Sequence, residues 1–277
     1  MQTETNPGSS ENLSAHRRKI SVADRPVVRP EQTHLAFQEK VNGAVEAIDF
    51  NKTRQTYWDQ NEAVFIDQFL SGEVVERYLL PEVEQLKSQI HRNYIPRHKK
   101  GGSVSYYTLL EKGSVFLTLY RSPAFIDFLS RLVNAPLQLC PEKDPHACAL
   151  YYYTEPGDHI GFHYDTSYYK SARYTVLIGL VQKTENCKLV CHLYKDDPKR
   201  KMKEVQVSTQ PGSVVIFNGD KLWHAITPLG EGEERVVLTM EYVINPEMGK
   251  FKRFVSNMKD AIAYFGFSEL LKSRLRR

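Results

Sequence analysis

The sequence predicts an α+β protein in which helices pack around an all-β core of jelly-roll type. Between residues 149 and 243, short β-branched and aromatic runs recur with turn residues between them, the pattern of a sandwich or jelly roll. Before this block, and again after Asn245-Pro246, apolar residues recur at helical spacing instead. The chain has 277 residues, 41% of them hydrophobic and 25% charged, which is enough apolar material for one full core.

Residues 1 to about 55 are rich in Asn, Gln, Ser and Pro, and are expected to form a largely flexible extension. Residues 56–277 are expected to form a single domain, with helical support at 71–135 and 250–275 around the β core. Ala63-Val64-Phe65-Ile66 reads as a strand. Ser71-Gly72-Glu73 then opens a helix in which Val74, Val75, Tyr78, Leu79, Val83, Leu86 and Ile90 recur at helical spacing, and Pro81 bends or restarts it. Gly101-Gly102-Ser103 reads as a flexible loop. Ser122-Pro123 is an N-cap followed by proline in the first turn, starting a helix that offers Phe125, Ile126, Phe128, Leu129 and Leu132 to the core. Residues 149–153 are the first strand of the β block, followed by the turn Glu155-Pro156-Gly157-Asp158. Further strands fit 174–181, 188–194, 203–207, 214–218, 222–226 and 235–243, and Phe254, Met258, Ile262 and Phe265 mark a last helix face.

Composition narrows the function classes. No apolar run approaches the roughly 18 residues of a membrane span, and the first thirty residues are polar, without the apolar stretch of a secretion signal. A soluble, cytoplasmic protein without a membrane partner is expected, as a monomer or homodimer. The four cysteines form no CxxC pair and are expected to be reduced thiols; Cys187, Cys191 and His192 lack a fourth ligand for zinc. The net charge of +4 comes from short, separated clusters, and no basic face interleaved with aromatics marks a nucleic-acid reader.

The candidate chemistry lies in the β block. His163-Tyr164-Asp165 follows a Gly-containing turn at the entry to an expected strand, and period-two alternation sets His163 and Asp165 on one face with Tyr164 on the other. His224, within the expected strand 222–226, is the natural third ligand, completing two imidazoles and a carboxylate on one side of a metal. Arg235 follows eleven residues later, across a Gly-rich hairpin, with a guanidinium suited to a two-point grip on a carboxylate. The residues leave structural alternatives open: a surface His163–Asp165 pair, a satisfied core His224, and Arg235 paired with Glu233 or Glu241.

Tyr153, the turn through Gly157, His163-Tyr164-Asp165, His224-Ala225-Ile226-Thr227-Pro228 and Arg235 together resemble the Fe(II)/2-oxoglutarate-dependent oxygenases, in particular the prolyl-hydroxylase-like group, over about residues 149–243. The resemblance implies a double-stranded β-helix (jelly-roll) core with N-terminal and C-terminal helices packed around it. It also implies Fe(II) on His163, Asp165 and His224, 2-oxoglutarate anchored by Arg235, O2 as the oxidant and ascorbate as a reductant. Tyr153 is implied to line the co-substrate pocket, and the tyrosine runs Tyr151 to Tyr153 and Tyr168-Tyr169 are read as pocket walls. Many relatives carry Ser or Thr two residues after the arginine, where this chain has Val237, so a second hydroxyl is expected from Tyr153, Thr175 or Thr239. Related halogenases carry Gly or Ala where this chain has Asp165, so the implied outcome is hydroxylation of a C–H bond, with desaturation or cyclisation as alternatives. The expected substrate is a small metabolite, a free amino acid first and a peptidyl residue second. The non-enzymatic alternative is a cupin-type metal- or ligand-binding module.

Overall fold

The computed structural model describes residues 30–167 and 169–247. Twelve strands hydrogen-bond into one curled sheet, and every pairing in it is antiparallel. The order is β1 (Ala63–Ile66), β10 (Val214–Asn218), β7 (Arg173–Lys183), β12 (Glu234–Val243), β5 (Cys148–Tyr153), β3 (Lys99–Val104), β6 (His159–His163), β11 (Trp223–Ile226), β8 (Leu189–Leu193) and β9 (Lys203–Val207). Short strands β2 (His91–Ile95) and β4 (Gln138–Leu139) add to β3 and β12. The turnover point is β3, whose residues 102–104 pair with β5 while Lys99 and Lys100 pair with β6. One strand thus belongs to both halves of the roll, which brings β6 and β11 opposite β12 and β7.

Alternation along β12 separates two environments. Val236, Leu238, Met240 and Tyr242 point into the core shared with the helices, whereas Arg235, Val237, Thr239 and Glu241 line a cavity inside the roll. The helical core is built on α1 (Pro30–Glu46), α2 (Phe50–Asp59), a broken helix comprising α3 (Gly72–Val74), a π-helical turn (Val75–Leu79) and α4 (Leu80–Leu86), then α5 (Tyr106–Lys112), α6 (Phe116–Tyr120) and α7 (Pro123–Val133). The break comes immediately before Pro81, which has no N–H to continue the hydrogen-bond ladder. Ser71 and Ser122 cap their helices as expected, accepting from the amides of Val74 and Phe125. Among the described residues, no helix is long and apolar enough to cross a membrane.

Two readings from local pattern differ from the structure. The extension expected to be flexible up to residue 55 forms α1 from Pro30 and most of α2, with Phe37 and Val41 fully buried. Their spacing of four is one helical face, but the polar residues around them mask it. Gly101-Gly102-Ser103 is buried strand within β3 rather than a loop. A Cβ on Gly102 would lie 2.5 Å from the Ile90 side chain, so glycine serves close packing there, not freedom. The expected C-terminal helix at 250–275 and residues 1–29 lie outside the described residues.

The hairpin that leads into His163 is held by Asp158, which is fully buried. Its carboxylate accepts from the amides of Thr154 and Glu155 and takes both ends of the Arg92 guanidinium at 2.7 and 2.8 Å. Burial works against its charge, but Arg92 and the two amides outweigh this and hold its pKa below the usual carboxylate range. Asp158→Ala is therefore expected to destabilise the protein by about 2–3 kcal/mol in urea unfolding at neutral pH. Because the folded pKa is depressed, this contribution is complete above the unfolded value of ~3.9 and is lost as pH falls through the folded one. An unchanged gap between wild type and variant well below pH 3 would contradict this assignment.

Candidate metal centre

His163 ends β6 and pairs directly across from His224 on β11, so the two imidazoles leave neighbouring strands side by side. Their ring centroids are 4.3 Å apart. Asp165 lies just past the end of β6, and its ligand atom joins theirs within a radius in which all three are less than 4.8 Å apart. Asp165 Oδ1 is 3.3 Å from His163 Nε2, and Oδ2 is 3.7 Å from His224 Nε2. Each histidine uses its other nitrogen on the backbone: Nδ1 of His163 donates to Gly161 O at 2.9 Å, and Nδ1 of His224 to Leu222 O at 3.0 Å. That turns both Nε2 atoms to the shared space, the backbone bond being the second contact that orients a metal-binding imidazole.

Charge arranges the protons as a metal requires. Burial raises the Asp165 carboxyl, but His224, His163 and Arg173 outweigh it and hold the carboxyl far below the usual range. Burial, reinforced by His163, pushes His224 down to about 4 despite Asp165, so its imidazole is neutral at physiological pH. Burial also opposes a charged His163, yet the hydrogen bond and charge of Asp165 prevail and raise its pKa. An ionised carboxylate beside a neutral imidazole and an imidazole paired to that carboxylate is a donor set a divalent cation fits by displacing at most the His163 proton.

Arg235 stands at the start of β12, fully buried, opposite Tyr153 on β5. Among the described residues, its Nε, Nη1 and Nη2 have no hydrogen-bond partner, and its guanidinium carbon sits 5.0 Å from the centre of the Tyr153 ring. Glu233 is engaged by Thr184, Asn186 and Gly230, and Glu241 by Arg173 and Thr175, so neither acidic candidate from the sequence pairs with Arg235. A buried guanidinium with unmatched donors is costly unless an anion completes it. It shares one cavity of about 400 Å³ with His163, Asp165 and His224. Ile160, Leu177, Leu189, Ile226 and Val237 form apolar walls of that cavity. The donor set and the unmatched guanidinium fit an iron ion and a dicarboxylate, respectively.

The family model described as Halogenase D matches residues 45–259. The chain belongs to that family. Among solved structures, this halogenase D family member is similar to the non-heme alpha-ketoglutarate-dependent epimerase SnoN from nogalamycin biosynthesis, with a TM-score of 0.59 and 15% identity over 74% of this chain and 86% of that one. The carbocyclase SnoK from the same biosynthesis gives 0.56 and 15% identity over 73% and 88% of the two chains. A prolyl 4-hydroxylase from Phytophthora capsici gives 0.54 and 20% over 85% and 75%. These are likenesses of fold, and the fold is the double-stranded β-helix expected from the resemblance. No curated protein matches the sequence.

The other expected site residues fall in different places. Thr239 lines the cavity, as do Tyr151 and Tyr153. Thr175 is fully buried behind the metal ligands, where its hydroxyl is 2.9 Å from Asp165 Oδ2 and 3.0 Å from Glu241 Oε2. Tyr169 is also buried away from the cavity and donates to Asp144, while Tyr168 lies outside the described residues. Cys187 and Cys191 are buried in the core inside the roll, and His192 pairs with Glu204; among the described residues only His163, Asp165 and His224 converge as metal ligands.

Sequence reasoning missed Arg173 and Gly219. Arg173 lines the cavity with its Nε 3.3 Å from Glu241 Oε2, but a lone arginine at a strand start carries no local signal. Gly219 carries no motif either, yet a Cβ there would meet Asp165 O at 2.6 Å and Asp165 Cβ at 2.9 Å. Gly219→Ala is thus expected to displace Asp165 and lower metal affinity about 10-fold or more, since ligand sites tolerate only ~0.5 Å of error. Gly43→Ala, with nothing within 4 Å of the added carbon, is the matched control. Equal Co(II) titration curves for the two variants would contradict the close-packing argument.

Proposed function

We propose that this protein is an Fe(II)- and 2-oxoglutarate-dependent dioxygenase that hydroxylates an unactivated C–H bond of a small metabolite, a free amino acid or derivative, with release of succinate and CO2. The observation that carries the proposal is the buried, unmatched Arg235 facing the same cavity as the convergent His163, Asp165 and His224. His163, Asp165 and His224 would hold the iron, and Arg235 would take the distal carboxylate of 2-oxoglutarate in a charge-assisted grip over the Tyr153 ring. The bound iron and co-substrate supply the oxidising power toward a C–H bond. The chain supplies position and dryness: apolar walls around Arg235 strengthen its hold on an anion and keep bulk water from the metal.

Asp165 decides between outcomes. The family's name points to halogenation, but this carboxylate occupies the position that a halide would need, which supports hydroxylation. Substrate class follows from size and polarity. The cavity is small, and besides the metal ligands and Arg235 it is lined by His98, His146 and the mutually paired Arg173 and Glu241, a polar setting that favours a small polar metabolite. Free, buried cysteines at 140, 148, 187 and 191 agree with a reducing cytoplasmic setting.

Incubation with Fe(II), ascorbate, 2-oxoglutarate and O2 against a panel of free amino acids should yield succinate and, for at least one of them, a product heavier by one oxygen atom. Loss of two hydrogens instead marks desaturation or cyclisation at the same site. If no succinate forms with or without any panel member, a cupin-type binding module replaces the enzyme reading; turnover of peptides alone moves the substrate to a peptidyl residue.

A further inference from the structure

Asp165 is constrained from two sides by residues that touch neither solvent nor the cavity. Gly219 packs against its backbone and Cβ so closely that no side chain fits, and Thr175, central in β7, meets its carboxylate at Oδ2. Thr175 does not line the cavity, so it contacts no substrate there. Its single hydroxyl proton faces two carboxyl oxygens, Asp165 Oδ2 at 2.9 Å and Glu241 Oε2 at 3.0 Å, and it can donate to only one. An Asp165 that ligates a cation is an acceptor only, so the proton goes to Oδ2. Glu241 Oε2 is then served by Arg173, whose Nε lies 3.3 Å away.

A carboxylate that can rotate freely binds a cation through one oxygen or through both. With one lone pair of Oδ2 committed to Thr175, that oxygen is the poorer ligand and carboxylate rotation is restrained, which favours Oδ1, the oxygen 3.3 Å from His163 Nε2. We propose that Thr175 is a positioning residue that holds Asp165 as a one-oxygen ligand and so keeps a metal position open for the keto-acid end of the co-substrate. This inference rests on the iron and 2-oxoglutarate reading above. It differs from the role expected from the sequence, in which the Thr175 hydroxyl would support Arg235 at the far carboxylate.

The test uses Thr175→Val, which keeps the shape without the hydroxyl, and Thr175→Ser, which restores the hydroxyl without the methyl. Under anaerobic conditions, Fe(II) binding is measured first by calorimetry, and 2-oxoglutarate is then titrated through the visible charge-transfer absorption that keto-acid chelation produces on Fe(II). The spectrum of Co(II) alone reports the number of ligands before any co-substrate is added. The valine variant should lose no more Fe(II) affinity than the roughly 10- to 100-fold typical of a lost outer-shell partner, show a changed Co(II) spectrum, and, once saturated with Fe(II), bind 2-oxoglutarate at least about 10-fold more weakly, a difference of about 1.4 kcal/mol. The serine variant should recover wild-type behaviour. Unchanged Co(II) spectrum and 2-oxoglutarate affinity in the valine variant would overturn the proposal, as would equal losses in the valine and serine variants, which would mark a packing role. Thr175→Ala takes the same place if the valine variant does not fold. A wild type that binds Fe(II) but never develops the absorption would instead sink the co-substrate reading on which the inference stands.

Discussion

Replacing Arg235 by leucine is expected to abolish useful 2-oxoglutarate binding while leaving the ligand-free protein as stable as wild type or more stable. The two effects have one cause. In the folded chain the guanidinium is fully buried, and none of its nitrogens has a hydrogen-bond partner among the described residues. The free protein therefore bears a desolvation cost that leucine removes, and a gain of about 1–3 kcal/mol is expected in urea unfolding. With co-substrate the balance reverses. Losing one partner of a buried, hydrogen-bonded charge pair costs about 2–5 kcal/mol, which is roughly a 30-fold to several-thousand-fold rise in Kd. At a hundred-fold excess over Kd, 2-oxoglutarate should stabilise Fe(II)-loaded wild type by about 2.7 kcal/mol and the leucine variant hardly at all. Equal ligand-induced stabilisation in both proteins would remove Arg235 from the site.

Asp165→Ala is expected to reduce oxygen insertion to background and to create a dependence on chloride. Asp165 is the only anionic member of the cluster that converges on the metal position, and its loss leaves two imidazoles. Fe(II) affinity should fall at least as far as the roughly 10- to 100-fold that accompanies loss of an outer-shell partner. The shortened side chain also frees a position that a halide can occupy, which gives the halogenase D family name a direct test in this chain. In the variant, replacing nitrate by chloride at constant ionic strength should tighten formation of the Fe(II)–2-oxoglutarate complex; in wild type it should not. Wild-type hydroxylation by the alanine variant would exclude Asp165 as a ligand, and an equal chloride effect in both proteins would show that the carboxylate does not block the position.

Much of this site was legible along the chain because its parts follow local periodicities. The alternation of short strands from 149 to 243 anticipated β5, β7 and β12 nearly in full, and the His163-Tyr164-Asp165 spacing marked two candidate ligands before any folding was known. Geometry altered the reason for the second. β6 ends at His163, so Asp165 reaches the metal position from the coil beyond the strand, held by Gly219 and Thr175 rather than by strand alternation. The N-terminal helices were missed because Phe37 and Val41 are two apolar residues in a polar stretch, too sparse to show as a face until the core they fill is assembled.

By itself the sequence determined the class of core, the three metal ligands as candidates and Arg235 as a candidate anion anchor, since each rests on residue type and on spacing within one strand or hairpin. Tertiary structure alone decided that Arg235 has no acidic partner among the described residues, that Arg173 pairs with Glu241, and that Thr175 hydrogen-bonds Asp165. Glu241 lies 66 positions from Thr175 and they meet only because β7 and β12 pair side by side. A single hydroxyl's partner depends on which strands become neighbours, and no period along the chain encodes that.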